Sequence, residues 1–353
     1  MGVRCRHDVP VPGGGDHHWA TDGHRLPAGR RSAAGGGLGV SLLAAALKYC
    51  PLLPESVLRG LFAVGAHAAV TAHQLGFGPR GIRQLEKNLQ RVAPLTPPRA
   101  RRSRTRRAFG HYMRYYAETF KVPGLTGSQI DARMRLEGDT QIFADIQDQS
   151  VILALTHSGN WDLAGAWAAR NLQPVLTVAE RIQPADAFAA YLELRQKLQM
   201  TILPVSRDDK PFPQLVRLAR RELHLVPLLA DRDLSASGLL LPFAGHEALF
   251  AAGPAALALA TKLPLYVGSI RHVRLSGHRR RAAGSKWGVV IDVQGPLTTP
   301  LRGPEGVEDL TRQWTAWFAA WLADHSEHWH MLQPVFVEDL DPTRLAKRRQ
   351  VVP

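Results

Sequence analysis

The fold is decided by the stretch "VILALTHSGNWDLAG", residues 151–165. The apolar run Val151–Leu155 predicts a buried strand, and the alanine-rich pattern from Trp161 onward predicts a helix. Between them, the polar residues 158–160 are typical of a tight turn. A strand, a turn and a helix in this order are typical of an α/β protein, in which ligands bind beyond the carboxyl ends of the strands. His157 directly follows the strand, so it lies where an active site is expected.

Short apolar runs and helical patterns alternate through the second half of the chain. The apolar runs predict strands at residues 151–156, 174–179, 201–205, 224–229, 264–273 and 288–293. The 3.6-residue patterns predict helices at residues 161–171, 185–199, 211–222, 253–262 and 306–323. This alternation predicts an α/β fold with a central, mostly parallel or mixed sheet that is flanked by helices.

The first half of the chain has a different pattern. From about residue 38, apolar residues recur at helical spacing and predict an N-terminal helical region that associates with a membrane. The segment "RARRSRTRRAFGHYMRYYAETFK", residues 99–121, begins with arginines and continues with an aromatic stripe. It is interpreted either as a core helix with a solvated basic start or as a helix on an anionic membrane surface. The same alternatives, core or membrane interface, apply to "WTAWFAAWL", residues 314–322.

The chain carries a large positive charge. It has 353 residues, with 44 Lys and Arg against 30 Asp and Glu, which gives a net charge of +14. This charge indicates an anionic partner: nucleic acid, an anionic membrane surface or a phosphorylated substrate. Because no zinc knuckle and no aromatic pair of the RNA-recognition type occurs, a nucleic-acid partner is not expected. The two cysteines, Cys5 and Cys50, lack the spacing of a disulfide framework and fit a reducing cytoplasm.

Composition divides the chain into three parts. Residues 1–37 are rich in glycine and lack apolar periodicity, so we expect a disordered extension or a translation start assigned too early. Residues 38–340 carry the helical and alternating patterns and are expected to form one large domain. Residues 341–353 form a basic tail. No run of about 18 apolar residues occurs, so a transmembrane helix is not expected.

His157 and Asp162 form a candidate catalytic pair. A tight turn between strand and helix can bring this carboxylate to the imidazole. The carboxylate would fix the tautomer and leave the other ring nitrogen free to take a proton from a substrate hydroxyl. The helix start near Trp161 adds amide donors that suit a phosphate or an oxyanion. A turn histidine with structural hydrogen bonds and a capping aspartate stay open as the alternative.

Other catalytic classes lack their motifs. The sequence has no Gly-x-Ser-x-Gly elbow, so an ordinary serine hydrolase is not expected. It also lacks the glycine-rich phosphate-binding motifs of nucleotide and dinucleotide sites. His328 and His330 lack the cysteine or carboxylate partners of a metal site, so no metal is predicted.

The "HSGNWD" motif after an apolar strand resembles the glycerophospholipid acyltransferase superfamily, whose signature is a histidine and an aspartate separated by four residues. Within it, the chain resembles the bacterial lipid A biosynthesis acyltransferases, and among these the actinobacterial phosphatidylinositol mannoside acyltransferases. Further blocks occur in the order of the family: "VAERIQP" (178–184), "YLELRQKLQMTILPV" (191–205), "VPLLADRDLSASGLLLPFAG" (226–245), "AAGPAALALATKLPLYVG" (251–268) and "HSEHWHMLQPVF" (325–336). The resemblance covers about residues 38–337 and implies that residues 38–340 are an acyltransferase domain.

The resemblance implies that His157 is a general base and that Asp162 and Asp231 orient it or stabilise its charged form. Some relatives carry a glutamate where this chain has Asp231, which leaves open whether Asp162 or Asp231 is the main partner of His157. The predicted substrate-binding residues are Glu180, Arg181, Arg195, Arg232, Asp233, Gly159 and Gly253. Arg195 is the candidate clamp for a phosphate or for the acceptor, and the glycines would let the backbone approach the substrate. A purely structural role, such as an ion pair, a cap or a turn, stays open for each.

The resemblance also implies a reaction. The family transfers a long acyl chain from acyl-CoA or acyl carrier protein, and the mannoside branch places it on a mannose 6-hydroxyl of phosphatidylinositol mannoside. Acyl-CoA is then a co-substrate and no cofactor is expected. The location implied is the cytoplasmic face of the plasma membrane, with the protein held peripherally on an anionic surface. Alternatives are a lipid A-type or lysophospholipid acceptor, a non-catalytic membrane-binding relative, and a hydrolase in which water replaces the acceptor.

Overall fold

The computed structural model describes Ala46 and residues 49–181, 185–205, 211–233 and 238–342. The helices there are α1 (Glu55–Gln74), α2 (Arg80–Val92), α3 (Pro98–Thr119), α4 (Gly127–Arg133), α5 (Gln141–Asp148), α6 (Trp161–Asn171), α7 (Ala185–Lys197), α8 (Phe212–Arg221), α9 (Gly253–Thr261), α10 (Gly277–Ala283) and α11 (Gly303–His325). The strands are β1 (Met134–Gly138), β2 (Val151–Leu155), β3 (Val175–Glu180), β4 (Met200–Val205), β5 (Leu225–Leu229), β6 (Leu239–Phe243), β7 (His246–Phe250), β8 (Leu265–Arg274) and β9 (Trp287–Leu297).

A seven-stranded sheet forms the centre of the described part of the chain, in the order β1-β9-β8-β2-β5-β3-β4. Strands β8, β2, β5, β3 and β4 pair in parallel. Strand β9 pairs antiparallel with β8 and parallel with β1. The predicted α/β fold with a mostly parallel, mixed sheet is therefore confirmed.

The two central strands of the sheet determine where the candidate site lies. All five side chains of β2 are buried, as expected for a strand covered on both faces by helices. In the parallel register, Val151 is opposite Leu225 and Leu155 is opposite Leu229. The backbone N–H of Ala230 donates to the carbonyl of Leu155 over 2.9 Å and extends the ladder by one residue. As a result, the chain segments that follow β2 and β5 leave the sheet side by side.

Helices cover both faces of the sheet and bury two separate apolar clusters. One cluster packs α8, α9 and α11 against the sheet and includes the fully buried Trp314 and Phe318. The other packs α4 to α7 against the opposite face, with Leu163 and Leu194 among its members. Each large apolar side chain buried in this way contributes about 1.5–3 kcal/mol. The interpretation of residues 314–322 as part of the core is therefore correct for Trp314 and for Trp321, which is also buried.

Helices α1, α2 and α3 form a further layer with apolar contacts of its own. Phe109 and Phe120 of the aromatic stripe are buried, so the core interpretation of this helix is correct. On α1 and the turn after it, apolar side chains point outward instead: Val57, Leu61, Val64, Leu75 and Phe77. Among the residues that the structure describes, no helix combines the length and the apolar character needed to cross a bilayer.

Some elements escaped prediction. Strand β1, the β6–β7 hairpin and helices α4, α5 and α10 are short elements of five to eight residues, and so few residues give a weak periodic signal. The hairpin turns at Ala244 and Gly245, whose φ angles are +51° and +80°. Pro242 lies within β6, and proline weakens the signal of a strand. The predicted N-terminal extension and positions 343–353 of the predicted basic tail lie outside the described residues.

Asp339 ties the C-terminal segment to α2. Its Oδ1 accepts from Lys87 Nζ over 2.9 Å, and its Oδ2 accepts from Gln84 Nε2 over 2.8 Å and from Arg91 Nη1 over 2.5 Å. Burial alone would raise the pKa of Asp339, but these hydrogen bonds and the charge of Arg91 outweigh it and hold the pKa below 3.8. The ionised carboxylate therefore stabilises the folded chain above pH 3.8.

We predict that Asp339→Asn lowers the free energy of unfolding by about 1–3 kcal/mol at neutral pH, because it removes the charge that three donors surround. A lowered folded-state pKa means that this stabilisation disappears as the pH falls below 3.8. Urea unfolding followed by circular dichroism should thus show the difference from the unsubstituted protein shrinking as the pH falls from about 4 to about 2. Glu338→Gln, a control at a half-exposed neighbour, should change stability by less than about 0.5 kcal/mol. A constant difference across this pH range would contradict the assignment.

Candidate active site

His157 and Asp231 form a hydrogen-bonded pair at the carboxyl ends of β2 and β5. Nδ1 of His157 lies 2.6 Å from Asp231 Oδ1, and the backbone N–H of His157 donates to Oδ2 over 2.9 Å. Asp231 is fully buried, whereas 26% of the His157 side chain is exposed. Since an ionised carboxylate only accepts, His157 carries its proton on Nδ1. Its Nε2 is then left with a free lone pair, which is the arrangement that a general base needs.

The C-terminal segment 328–330 supports this pair from the other side. The indole N–H of Trp329 donates to Asp231 Oδ2 over 2.7 Å, and Trp329 is fully buried. The backbone of the segment forms a short antiparallel bridge with the turn after β2. In this bridge, Gly159 N–H donates to the His328 carbonyl, and His330 N–H donates to the His157 carbonyl. The segment therefore fixes both members of the pair.

The charge of Asp231 is stabilised by the groups around it. Burial alone would raise the pKa of Asp231, because it disfavours the ionised form. The positive charge that His157 can carry and the hydrogen bonds from His157 and Trp329 act in the opposite direction and lower the pKa below 3.8. Asp231 thus remains ionised at neutral pH and can stabilise an imidazolium at position 157.

Asp162 has different partners. Its Oδ2 accepts from the Tyr115 hydroxyl over 2.7 Å, and its Oδ1 accepts from Arg195 Nε over 2.9 Å. Asp162 is buried, and its charge raises the pKa of Arg195 although burial acts against this. The structure therefore pairs His157 with Asp231 rather than with Asp162. The predicted contact between Asp162 and His157 is replaced by an ion pair that joins α6 to α7.

The turn between β2 and α6 requires its glycine for a packing reason. Gly159 has a φ of +55°, and a Cβ atom there would lie 2.5 Å from Ile270 Cγ2 and 2.6 Å from the Ile270 carbonyl oxygen. Asn160 then caps α6, since its Oδ1 accepts from the Leu163 N–H over 2.9 Å. Its Nδ2 donates to Glu118 Oε2 over 3.2 Å, which connects the turn to α3. Close packing against β8 explains Gly159 without a ligand.

The other predicted binding residues lie around the same edge of the sheet or near it. Glu180 ends β3, and its Oε2 lies 3.8 Å from Arg232 Nη2. Arg181 follows, and its backbone N–H donates to the Val205 carbonyl over 2.9 Å. Asp233 is buried two residues beyond Asp231.

Gly253 begins α9, and no atom lies within 4 Å of the position that its Cβ would take. A side chain would fit there, so packing does not require this glycine. Its predicted role in approaching the substrate stays a prediction.

An apolar cavity lies between α6 and the sheet, next to His157. Its walls include Leu153, Leu155, Trp161, Ala164, Ala168 and Leu229, and Asp162 and Arg195 line it as well. The ring centroid of Trp161 is 5.7 Å from that of His157. The cavity holds about 610 Å³ between protein atoms, with the space at its mouth included. Its mostly apolar lining suits an apolar ligand.

Three contributors to the site were not assigned from the sequence. Trp329 lies in a block that resembles the family, but its sequence position gives no sign of a bond to Asp231. Tyr115 and Glu118 lie on a helix that is rich in arginine and aromatic residues, and no spacing rule links them to residues of α6. Only the packing of α3 over the turn brings them to Asp162 and Asn160.

The sequence of this chain is similar to those of known acyltransferases. The family model of the bacterial lipid A biosynthesis acyltransferases matches residues 33–337, and the chain belongs to this family. A phosphatidylinositol mannoside acyltransferase from Mycolicibacterium smegmatis is 30% identical over 305 residues, which are 86% of this chain and 93% of that relative. The protein of the same name from Mycobacterium tuberculosis is 30% identical over 303 residues, 84% of this chain and 88% of its own.

The match to the crystal structure of the 1-acyl-sn-glycerophosphate acyltransferase PlsC from Thermotoga maritima covers 76% of this chain and 99% of the PlsC chain. The TM-score is 0.35 and the sequence identity is 13%.

The buried ion pair between Asp162 and Arg195 leads to a stability prediction. Arg195→Met should lower the free energy of unfolding by about 3–5 kcal/mol, because it leaves a buried carboxylate without its cation. When Asp162 is already replaced by asparagine, Arg195→Met should lower the free energy of unfolding by less. The coupling energy between the two substitutions, measured by urea unfolding, should be about 1–3 kcal/mol. Arg312→Met, which removes the exposed pair with Glu308, is the control and should cost less than about 1 kcal/mol. Additive effects of the two substitutions would contradict the assignment.

Proposed function

We propose that this chain transfers a long-chain fatty acyl group from acyl-CoA to a mannose hydroxyl of a phosphatidylinositol mannoside, with His157 as the general base. The observation that carries the proposal is the 2.6 Å contact between His157 Nδ1 and the buried Asp231, beside an apolar cavity. This arrangement provides an oriented base and a place for an acyl chain. It needs no nucleophilic serine or cysteine.

The reaction is a direct acyl transfer in which one proton passes from the acceptor hydroxyl through His157 to the leaving thiolate. Nε2 of His157 takes the proton of the acceptor hydroxyl as its oxygen attacks the thioester carbonyl carbon. The tetrahedral intermediate then collapses, the carbon–sulfur bond breaks, and the departing thiolate takes the proton back from Nε2. The products are the ester and free CoA. Asp231 keeps Nδ1 protonated throughout and stabilises the imidazolium between the two steps.

The cavity suits the acyl chain of the donor. Most of its lining is apolar, and one wall is Trp161, whose ring centroid lies 5.7 Å from that of His157. A second hollow shares Leu153, Ala164 and Ala168 with it and continues to Ile142 and Trp167. An acyl chain inserted along this path would leave its thioester near His157 and its polar CoA moiety outside. Burial of a chain in this way is favourable by about 0.8 kcal/mol per methylene.

Positive charge suits both anionic substrates. The net charge is +14, and Arg181 and Arg232 lie at the edge of the sheet where His157 emerges. The proposed acceptor rests on the names of the relatives, which are phosphatidylinositol mannoside acyltransferases. The guanidinium of Arg195 already binds Asp162, so we assign Arg195 mainly to holding the cavity wall rather than to clamping a phosphate.

We also propose that the protein lies peripherally on the cytoplasmic face of the plasma membrane. The outward-facing side chains of α1 and the turn after it include Val64 and Phe77, which are 70% and 84% exposed. Exposed arginines follow on α2 and α3, among them Arg83 and Arg102. An apolar face with basic residues nearby is what an anionic leaflet attracts.

The proposal is tested with radiolabelled palmitoyl-CoA and a panel of acceptors. We predict transfer to a phosphatidylinositol mannoside and a loss of about a hundred- to ten-thousand-fold in His157→Ala, because the general base is missing. His246→Ala, which changes a histidine outside the site, is the matched control and should keep full activity.

Each other outcome identifies a different reaction. Transfer to a lipid A-type glucosamine or a lysophospholipid, but not to a mannoside, would overturn the proposed acceptor. Release of free palmitate without transfer would indicate a hydrolase. Vesicle binding without any transfer would indicate a non-catalytic relative. Equal transfer by His157→Ala would remove the general base from the mechanism.

The cavity leads to a prediction about acyl chain length. Ala168 lines both hollows, so Ala168→Leu should shorten the space for the chain. We expect transfer from palmitoyl-CoA to fall by about tenfold or more relative to transfer from octanoyl-CoA, measured as the ratio of kcat/KM values. Ala320→Leu, at an exposed position of α11, is the control and should leave the ratio unchanged. An unchanged ratio in Ala168→Leu would mean that the acyl chain binds elsewhere.

A further inference from the structure

Three buried histidines meet where α3, β8 and the turn after α11 join. His111, His272 and His328 are 8%, 5% and 8% exposed. One ring nitrogen of each lies within 4.8 Å of the others. The ring centroid of His111 is 4.4 Å from that of His328 and 5.1 Å from that of His272. The proposed acyl transfer uses none of these rings.

The rings of this cluster are poorly satisfied by hydrogen bonds. Nδ1 of His111 and both ring nitrogens of His272 lack a hydrogen-bond partner among the described residues. The polar contacts of the rings are long. The backbone N–H of His272 donates to His328 Nδ1 over 3.3 Å, His272 Nε2 lies 3.4 Å from Glu118 Oε2, and His111 Nε2 lies 3.9 Å from Glu327 Oε1. A buried polar group without a partner costs about 1–3 kcal/mol. A bound ligand would remove this cost.

The chemistry of the cluster favours a cation that prefers nitrogen. All three rings are buried, and an imidazole nitrogen is a ligand that suits transition-metal ions. A neutral imidazole is the form that binds a metal ion. The guanidinium of Arg114 opposes a cation here, and the buried carboxylate of Glu118 offsets it.

We propose that His111, His272 and His328 bind one divalent transition-metal ion in a structural site, and that zinc fits best. Tetrahedral zinc with Zn–N distances of about 2.0–2.1 Å needs ligand nitrogens about 3.3–3.4 Å apart, so the three rings, whose nitrogens lie within 4.8 Å of one another, would move closer together on binding. Magnesium and calcium prefer oxygen ligands and do not fit three imidazoles. Glu118 Oε2 lies 3.4 Å from His272 Nε2 and would serve as the outer carboxylate that metal-binding histidines usually have, with water completing the coordination.

The ion would join three segments that are distant in sequence. His328 adjoins Trp329, which donates to Asp231. Glu118 also accepts from Asn160, the cap of α6. The ion therefore stabilises the surroundings of the catalytic pair without contacting His157, and its loss should lower stability first and activity only indirectly.

The test uses the full chain, purified without a polyhistidine tag. We expect about one zinc ion per chain by elemental analysis, and a d–d absorption spectrum of tetrahedral cobalt when the chelator-treated protein is titrated with Co²⁺. A chelator should lower the melting temperature, and zinc should restore it. His272→Ala and His328→Ala should weaken zinc binding by at least about tenfold. His224→Ala, at an equally buried histidine outside the cluster, should bind zinc normally.

Two results would overturn the proposal. One is the absence of saturable zinc or cobalt binding by the unsubstituted protein. The other is unchanged binding in both cluster variants. If a variant does not fold, the cobalt spectrum of the unsubstituted protein decides alone. Acyl transfer does not enter any of these measurements, so the metal site and the proposed function fail or succeed separately.

Discussion

Asp231 is a buried charged residue, and the interactions that stabilise its charge determine the arrangement of the site. An isolated carboxylate in a protein interior is strongly unfavourable, so it must be paired and hydrogen-bonded. Three donors meet this requirement: the ring and the backbone N–H of His157, and the indole of Trp329. The same contacts fix the tautomer of His157 and direct its free nitrogen outward.

This constraint explains why distant segments converge on one point. The parallel register of β2 and β5 brings His157 and Asp231 out of the sheet as neighbours. The C-terminal segment adds the third donor, and α3 supports the turn through Tyr115 and Glu118. Asp162 then serves a different purpose, since its ion pair with Arg195 holds α6 and α7 beside the apolar cavity. Asp231 and Asp162 are both buried carboxylates, and their separate partners give them separate roles.

Much of this could be read from the sequence, and the limits have physical causes. Strong apolar runs and helical periodicity located β2, α6 and most of the sheet, because burial on both faces leaves a clear pattern. The pairing of His157 could not be settled, since two carboxylates were within reach and only tertiary packing separates them. Trp329 and the cluster of His111, His272 and His328 were missed for a similar reason. Their members lie far apart in the chain, and no local spacing connects them.

The measurement that tests the central claim most directly is single-turnover acyl transfer from palmitoyl-CoA at saturating acceptor, compared between Asp231→Asn and Asp162→Asn. If Asp231 orients His157 and stabilises its protonated form, Asp231→Asn should slow the chemical step by about a hundred- to ten-thousand-fold. Asp162→Asn should stay within about tenfold of the unsubstituted protein, because it leaves the His157 pair intact. The reverse order, with Asp162→Asn as the slower variant, would contradict the account.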